Sequence, residues 1–221
     1  AAGASPLVWE TNPARREGAM GYDVIDPAGD TRRDYRCICD VSGDGALLEH
    51  LIRVRGCDGH GVEISVEGFH ACIDRGVPVM QGDIDEGLSD LDDDSFDVVV
   101  LSQTLQATRR PAFVLREMVR IGRQAIVSFP NFGHWAVRGR LSLQGRMPVS
   151  KTLPYQWFDT PNIHLCTVAD FEQLAEAEGL RVIRRIPLNA RGGPSNGLAL
   201  RAPNLLAHGA VYLLESVGRD G

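Results

Sequence analysis

The chain has 221 residues, 43% hydrophobic and 24% charged, which suits one soluble globular domain large enough to bury a full core. Its formal net charge of −6 argues against a nonspecific binder of nucleic-acid phosphates. No apolar run approaches the roughly 18 residues that cross a bilayer, and the first residues lack a basic-then-apolar leader, so the cytoplasm is the expected compartment, with no membrane partner.

Residues 1 to about 33 are rich in Gly, Ala, Pro and charge without helical or strand periodicity, and are expected to form a mobile extension. Tyr35 to Val41 then reads as a short buried strand that runs into the turn Ser42-Gly-Asp-Gly45. Its cysteines, Cys37 and Cys39, are expected to point the same way. Together with Cys57, Cys72 and Cys166 they form no C-x-x-C pair, so neither a zinc ribbon nor a disulfide framework is expected. A helix follows from Ala46 with Leu47, Leu48, Leu51 and Ile52 at helical spacing and Gly56 as its stop. Gly59 to Ile64 reads as a second strand ending at Glu63, and Ser65 is placed to cap a helix from Val66 to Arg75. Val77 to Gln81 makes a third strand.

The acidic stretch Asp83 to Asp97 lacks the spacing and closing glutamate of a calcium loop and is read as a connection, with no metal expected. Phe96 to Leu101 is the clearest buried strand. Pro111 opens a helix with the stripe Val114, Leu115, Met118 and Ile121, and Gln124 to Phe129 is a fifth strand. Thr167-Val-Ala-Asp170 is a capping box for a further helix, Leu180 to Ile186 is a sixth strand, and Val211 to Leu214 is offered as a seventh at an antiparallel edge. Such alternation predicts an α/β fold: an open, doubly wound, mostly parallel sheet with helices on both faces. Ligands of such sheets bind at the carboxyl ends of the strands, which gathers Asp40, Glu63, Asp83 and Ser102-Gln103 around one crevice. A carboxylate in the place of Glu63 can accept two hydrogen bonds from a ribose diol. The dinucleotide fingerprint G-x-G-x-x-G is not met, since Gly43-Asp-Gly45 is followed by Leu48 where the third glycine belongs, and this disfavours a nicotinamide enzyme.

Several strings carry a resemblance. Gly61-Val-Glu-Ile64, Gln81-Gly-Asp-Ile84, Ser95-Phe-Asp-Val-Val-Val-Leu-Ser-Gln-Thr-Leu-Gln106, Gly122-Arg-Gln-Ala-Ile-Val-Ser-Phe-Pro-Asn-Phe-Gly-His-Trp135 and Leu153-Pro-Tyr-Gln-Trp-Phe-Asp-Thr-Pro-Asn-Ile-His-Leu-Cys166 resemble the MetW family of methionine biosynthesis proteins, over about Tyr35 to Glu215. The resemblance implies a class I methyltransferase-like domain at 34–216 with an insertion at about 131–166. It implies S-adenosylmethionine as the cofactor to consider: Gly43 and Gly45 beside its methionyl end, Glu63 at the ribose, Asp83 and Ile84 at the adenine, with Asp40, Ile64, Ser102 and Gln103 completing the site. It also implies a protein partner, homoserine O-acyltransferase, for which this chain would be a required activator. One departure stands out. The family's first motif is D-L-G-C-G-D-G, whereas Asp40-Val-Ser-Gly-Asp-Gly45 is one residue shorter. A residue lost displaces a turn by up to about 3.5 Å, so weak or no binding of S-adenosylmethionine is expected. A methyltransferase acting on a small molecule or a protein is the alternative function; no acceptor-activating motif such as N-P-P-Y follows the fourth strand, where Ser102-Gln-Thr-Leu105 stands.

Asn131 to Phe158 has no acid, four cations (Arg138, Arg140, Arg146, Lys151) and five aromatics; its +4 leaves −10 for the rest of the chain. A connection of this length suggests binding, and Trp135, Arg138, Arg140, Tyr155 and Trp157 are the candidate partner contacts. Aromatics that merely cap the sheet would look the same. His134 and His164 can each serve as a general base, with a structural role the preferred reading.

Overall fold

The computed structural model describes residues 36–40, 45–150 and 153–219. The expected extension at 1–33, the turn residues 41–44 with Gly43 among them, and Lys151 lie outside the described residues.

Seven strands form one sheet: β1 (Arg36–Asp40), β2 (Asp58–Glu63), β3 (Val79–Gln81), β4 (Phe96–Ser102), β5 (Gly122–Pro130), β6 (Leu180–Leu188) and β7 (Gly209–Ser216). Their order is β3-β2-β1-β4-β5-β7-β6. The pairings from β3 to β5 are all parallel, and β7 runs antiparallel to both its neighbours. The antiparallel pairing expected at this end of the sheet is present, with β7 one place in and β6 on the rim. A register shift between Val182 and Arg184 places an extra residue, Ile183, in β6.

Period-two alternation sorts the strand residues between two cores. Val99, Leu101, Ala125, Val127, Phe129, Tyr212 and Leu214 face one side, packed under α3 (Pro111–Ile121) and α5 (Val168–Ala177). Cys37, Cys39, Val98, Val100, Ile126, Val211 and Leu213 face the other, with Leu48 and Leu51 of α1 (Ala46–Arg55) and Cys72 of α2 (Val66–Asp74). Cys37 and Cys39 thus share a face, and all five cysteines are free thiols.

The helix ends follow the local chemistry that the residues offer. Ser65 Oγ accepts from Gly68 N, Pro111 is the first residue of α3, and Thr167 with Asp170 completes the capping box of α5. Gly45 precedes α1 at φ 71°, a left-handed conformation that costs glycine nothing. One helix was not expected: α4 (Trp135–Gln144), capped by His134 Nδ1 accepting from Ala136 N. Two four-residue helices, α6 (Leu198–Arg201) and α7 (Pro203–Leu206), lie between β6 and β7.

The acidic connection 83–97 is fastened to α3 and is not merely solvated. Glu117 accepts from Leu88 N, while the Arg120 guanidinium reaches the carbonyls of Leu88 and Leu91 and the carboxylate of Asp93. The Arg120 bonds hold the Glu117 carboxyl below its usual range against the opposing effect of burial.

Candidate functional site

The sheet reverses its strand order between β1 and β4, and the crevice opens at the carboxyl ends of these strands. Asp40 closes β1 and Ser102 closes β4. They are joined by Thr104, whose hydroxyl donates to the Asp40 carboxylate and lies 3.1 Å from the Ser102 carbonyl. Between them Gln103 holds φ at 59°, a left-handed backbone that costs a non-glycine residue about 1–2 kcal/mol. What keeps it there is Ser128 at the end of β5: Gln103 N donates to the Ser128 carbonyl at 3.0 Å, and Gln103 Nε2 lies 3.3 Å from Ser128 Oγ. Ser102 Oγ also lies 3.3 Å from that hydroxyl. The structure therefore brings Asp40, Ser102 and Gln103 together, through two residues, Thr104 and Ser128, that the sequence reading did not single out.

Glu63 lies one strand further, 5% exposed, with Oε1 accepting from Ser65 N at 2.8 Å. Ile64 next to it is exposed. Asp83 turns along the sheet edge: Oδ1 accepts from Asp85 N at 2.8 Å and Oδ2 is paired with Arg109 Nη2 at 2.8 Å. Asp85 is buried and takes the backbone N–H groups of Arg109 and Arg110 at 2.8 and 2.9 Å, just where α3 starts. Burial alone would raise its carboxyl; those two amides and the Arg109 guanidinium together outweigh it and hold the group below the usual range. Ile84 packs beneath, lining with Ile38, Asp40 and Val62 a cavity of about 20 Å³, room for one water molecule.

These positions bear on whether S-adenosylmethionine fits. An adenosyl ligand needs open acceptors for its ribose, amine and adenine, in a pocket of roughly 300 Å³ or more. Among the described residues, both oxygens of Asp83, one oxygen of Glu63 and one of Asp40 already accept hydrogen bonds from within the chain. Each carboxylate oxygen keeps a second lone pair, so these bonds orient the acids without closing them to a ligand; residues 41–44, which the family resemblance sets at the methionyl end, lie outside the described residues. Among the described residues no group of three or more His, Cys, Asp and Glu side chains is placed to hold a metal ion, and no helix is long and apolar enough to cross a membrane.

The second candidate surface follows β5 on the same edge. Buried Asn131 starts it, then Gly133 and His134, before α4 emerges with none of its ten residues buried. Trp135 is 59% and Trp157 72% exposed, and Leu141, Leu143, Tyr155, Phe158, Ile163 and Leu165 are exposed around them. The bland alternative, aromatics that cap the sheet, does not describe Trp135, Tyr155, Trp157 or Phe158. Arg138 Nε donates to the Gly133 carbonyl at 2.5 Å and Arg140 Nη1 to the Val149 carbonyl at 3.0 Å, so each gives one of its five donors to local backbone. The far end of this segment is held to the crevice, because the Gln106 carbonyl accepts from Ile163 N at 3.0 Å and His164 N at 2.9 Å. Gln106 Nε2 in turn donates to the Gln103 carbonyl. His134 is buried and serves as the cap of α4; its ring centroid lies 4.0 Å from that of His208, and burial, with the second imidazole beside it, lowers its pKa to about 4. His164 is exposed.

Comparison with known proteins agrees with this architecture. In Rhodopirellula baltica, the bifunctional methionine biosynthesis protein MetXA/MetW is 36% identical over 159 residues, 68% of this chain and 25% of that protein. The chain thus spans about a quarter of that relative's length. A SAM-dependent methyltransferase from Thermotoga maritima, a possible histamine N-methyltransferase, superposes with a TM-score of 0.56 at 18% identity, covering 82% of this chain and 81% of that one. A putative S-adenosylmethionine-dependent methyltransferase from Listeria monocytogenes superposes with a TM-score of 0.60 at 13% identity, covering 86% and 93%. At such identities these structures show the fold, a class I methyltransferase-like sheet. The family model described as methionine biosynthesis protein MetW matches residues 31–214, and the chain belongs to that family.

Proposed function

We propose that this chain acts in the cytoplasm as the docking partner that homoserine O-acyltransferase needs to make O-acyl-homoserine, with the methyltransferase-like sheet serving as a binding body. The observation that carries this reading is the exposed apolar and cationic face of α4 and residues 153–165, mounted on a crevice whose described acids are engaged within the chain. Trp, Tyr and Arg are the residue types that most often carry interface energy, and the face offers all three. The bifunctional relative, whose name joins MetXA and MetW in one chain, supports the same pairing. The test is co-purification with the acyltransferase of the same source, with acyltransferase turnover measured with and without this chain. Trp135→Ala or Trp157→Ala is expected to weaken the complex by about 2 kcal/mol, roughly 30-fold, without lowering the melting temperature, since both rings are exposed. Unchanged affinity in both folded variants would move the interface elsewhere.

The second reading, an S-adenosylmethionine-dependent methyltransferase, is favoured by one feature: the strained Gln103 at the switch point, a type of backbone that clusters at functional sites. Against it stands the turn that is one residue short. Titration calorimetry with S-adenosylmethionine is expected to give weak or no binding, improved by inserting a glycine between Val41 and Ser42. Low-micromolar binding that Glu63→Ala abolishes would favour the methyltransferase.

A further inference from the structure

Two connections leave the carboxyl edge of the sheet side by side: residues 131–167 between β5 and α5, and residues 189–208 between β6 and β7. Asn131, 2% exposed, ties them together. Its Nδ2 lies within hydrogen-bond distance of the carbonyls of Pro203, Asn204 and Ala207, at 3.3, 3.0 and 2.8 Å. Its Oδ1 accepts from Gly133 N at 2.9 Å and Val168 N at 3.3 Å. Backbone meets backbone here: a Cβ on Gly133 would stand 2.8 Å from the Asn204 carbonyl oxygen, so only glycine allows α7 this close. The contact between the His134 and His208 rings is a third tie. The α6–α7 corner is therefore fixed to the start of α4.

The corner has the character of the face it joins. Leu198, Leu200 and Leu205 are exposed, the first to 71%. Residues 189–208 contain no acid and two arginines, Arg191 and Arg201, just as 131–158 contains no acid and four cations. These six cations leave −12 for the remainder of a chain whose net charge is −6. A second copy of this chain is a poor occupant, because pairing through this face would set Arg138, Arg140 and Arg201 of one copy against those of the other. Resting on the docking function proposed above, we propose that the α6–α7 corner is the second half of the face that receives homoserine O-acyltransferase, and that Asn131 is the residue that positions the two halves. The occupant is then an apolar strip on the acyltransferase, rimmed by Asp and Glu.

The test uses the full chain, the acyltransferase of the same source and surface plasmon resonance, with circular dichroism and melting on each variant. Leu198→Ala with Leu205→Ala is expected to lower affinity about tenfold with the melt unchanged. Asn131→Asp retains the acceptor for Gly133 and Val168 and loses the donors to the corner; it should weaken binding and speed amide exchange at 198–207. In the Asn131→Asp background the leucine pair should cost clearly less than tenfold, which a purely structural asparagine would not produce. If Trp135→Ala weakens binding while the leucine pair leaves it unchanged, the second half is overturned and the docking function stands. Additive effects of Asn131→Asp and the leucine pair would remove Asn131 from its positioning role. If the unaltered chain fails to bind the acyltransferase, the docking function and this extension of it both fall.

Discussion

His134 is buried and, with its backbone-capping Nδ1, works as the neutral base: an imidazole that accepts from Ala136 N cannot carry a proton on that nitrogen. Its folded pKa of about 4, with burial the larger cause and His208 the second, sits below the roughly 6.5 of an unfolded histidine. The sign follows from proton counting. Between those two values the unfolded chain binds a proton that the folded chain refuses, so stability falls as the pH drops from about 6.5 towards about 4 and is fully present above that window. Burial lowers His208 in the same direction, so it adds to the same slope. Urea midpoints across this range are expected to decline less in the variant His134→Asn with His208→Gln, whose asparagine retains an acceptor for the cap. An unchanged slope would place the pH dependence on other groups. At this scale the sequence was partly legible. A residue closing a strand is visible in a hydrophobic pattern, so Asp40, Glu63 and Ser102 could be placed at their strand ends. Their partners could not: that Asp83 meets Arg109, 26 positions on, and that Thr104 bonds Asp40 are facts of tertiary geometry with no local signature.

The elements whose bounds were sharpest in the sequence are two that bury a face. β4 and α3 carry unbroken or striped apolar residues because both are covered, and their predicted bounds lie within about two residues of those observed. α4 was missed for the converse reason. Trp-Ala-Val-Arg-Gly-Arg-Leu-Ser-Leu-Gln presents no apolar stripe, since no side of the helix packs against the sheet, and a glycine stands at its centre. α6 and α7, four residues each, are too short for a period to show. The exposed helix also makes a prediction. A Cβ on Gly139 would touch nothing within 4 Å, so Gly139→Ala removes a helix penalty of about 1 kcal/mol without a clash. Amide exchange in 135–144 should slow by up to about fivefold while the global melt stays put, because the helix is not packed into either core. A raised melting temperature would show that α4 unfolds together with the rest.

At the scale of the whole molecule, charge is divided by position. Connections at the carboxyl edge after β5 and β6 hold six cations and no acid across 131–158 and 189–208, on a chain that is otherwise −12. Fields of this kind steer encounter more than they hold a complex together, and they are screened over about 8–10 Å at physiological salt. The association rate with the acyltransferase is therefore expected to fall several-fold as salt rises from low to physiological strength, with the dissociation rate nearly constant. Arg138→Glu with Arg140→Glu should flatten that dependence. The control is Arg181→Glu with Arg185→Glu on β6, which changes the net charge by the same amount away from the proposed face, at residues paired with Glu215 and Glu172. Local steering requires the first pair to slow association and the second to leave it close to the unaltered rate. Equal slowing by both pairs would mean that the partner senses only the total charge of this chain, and the cationic edge would lose its claim to guide docking.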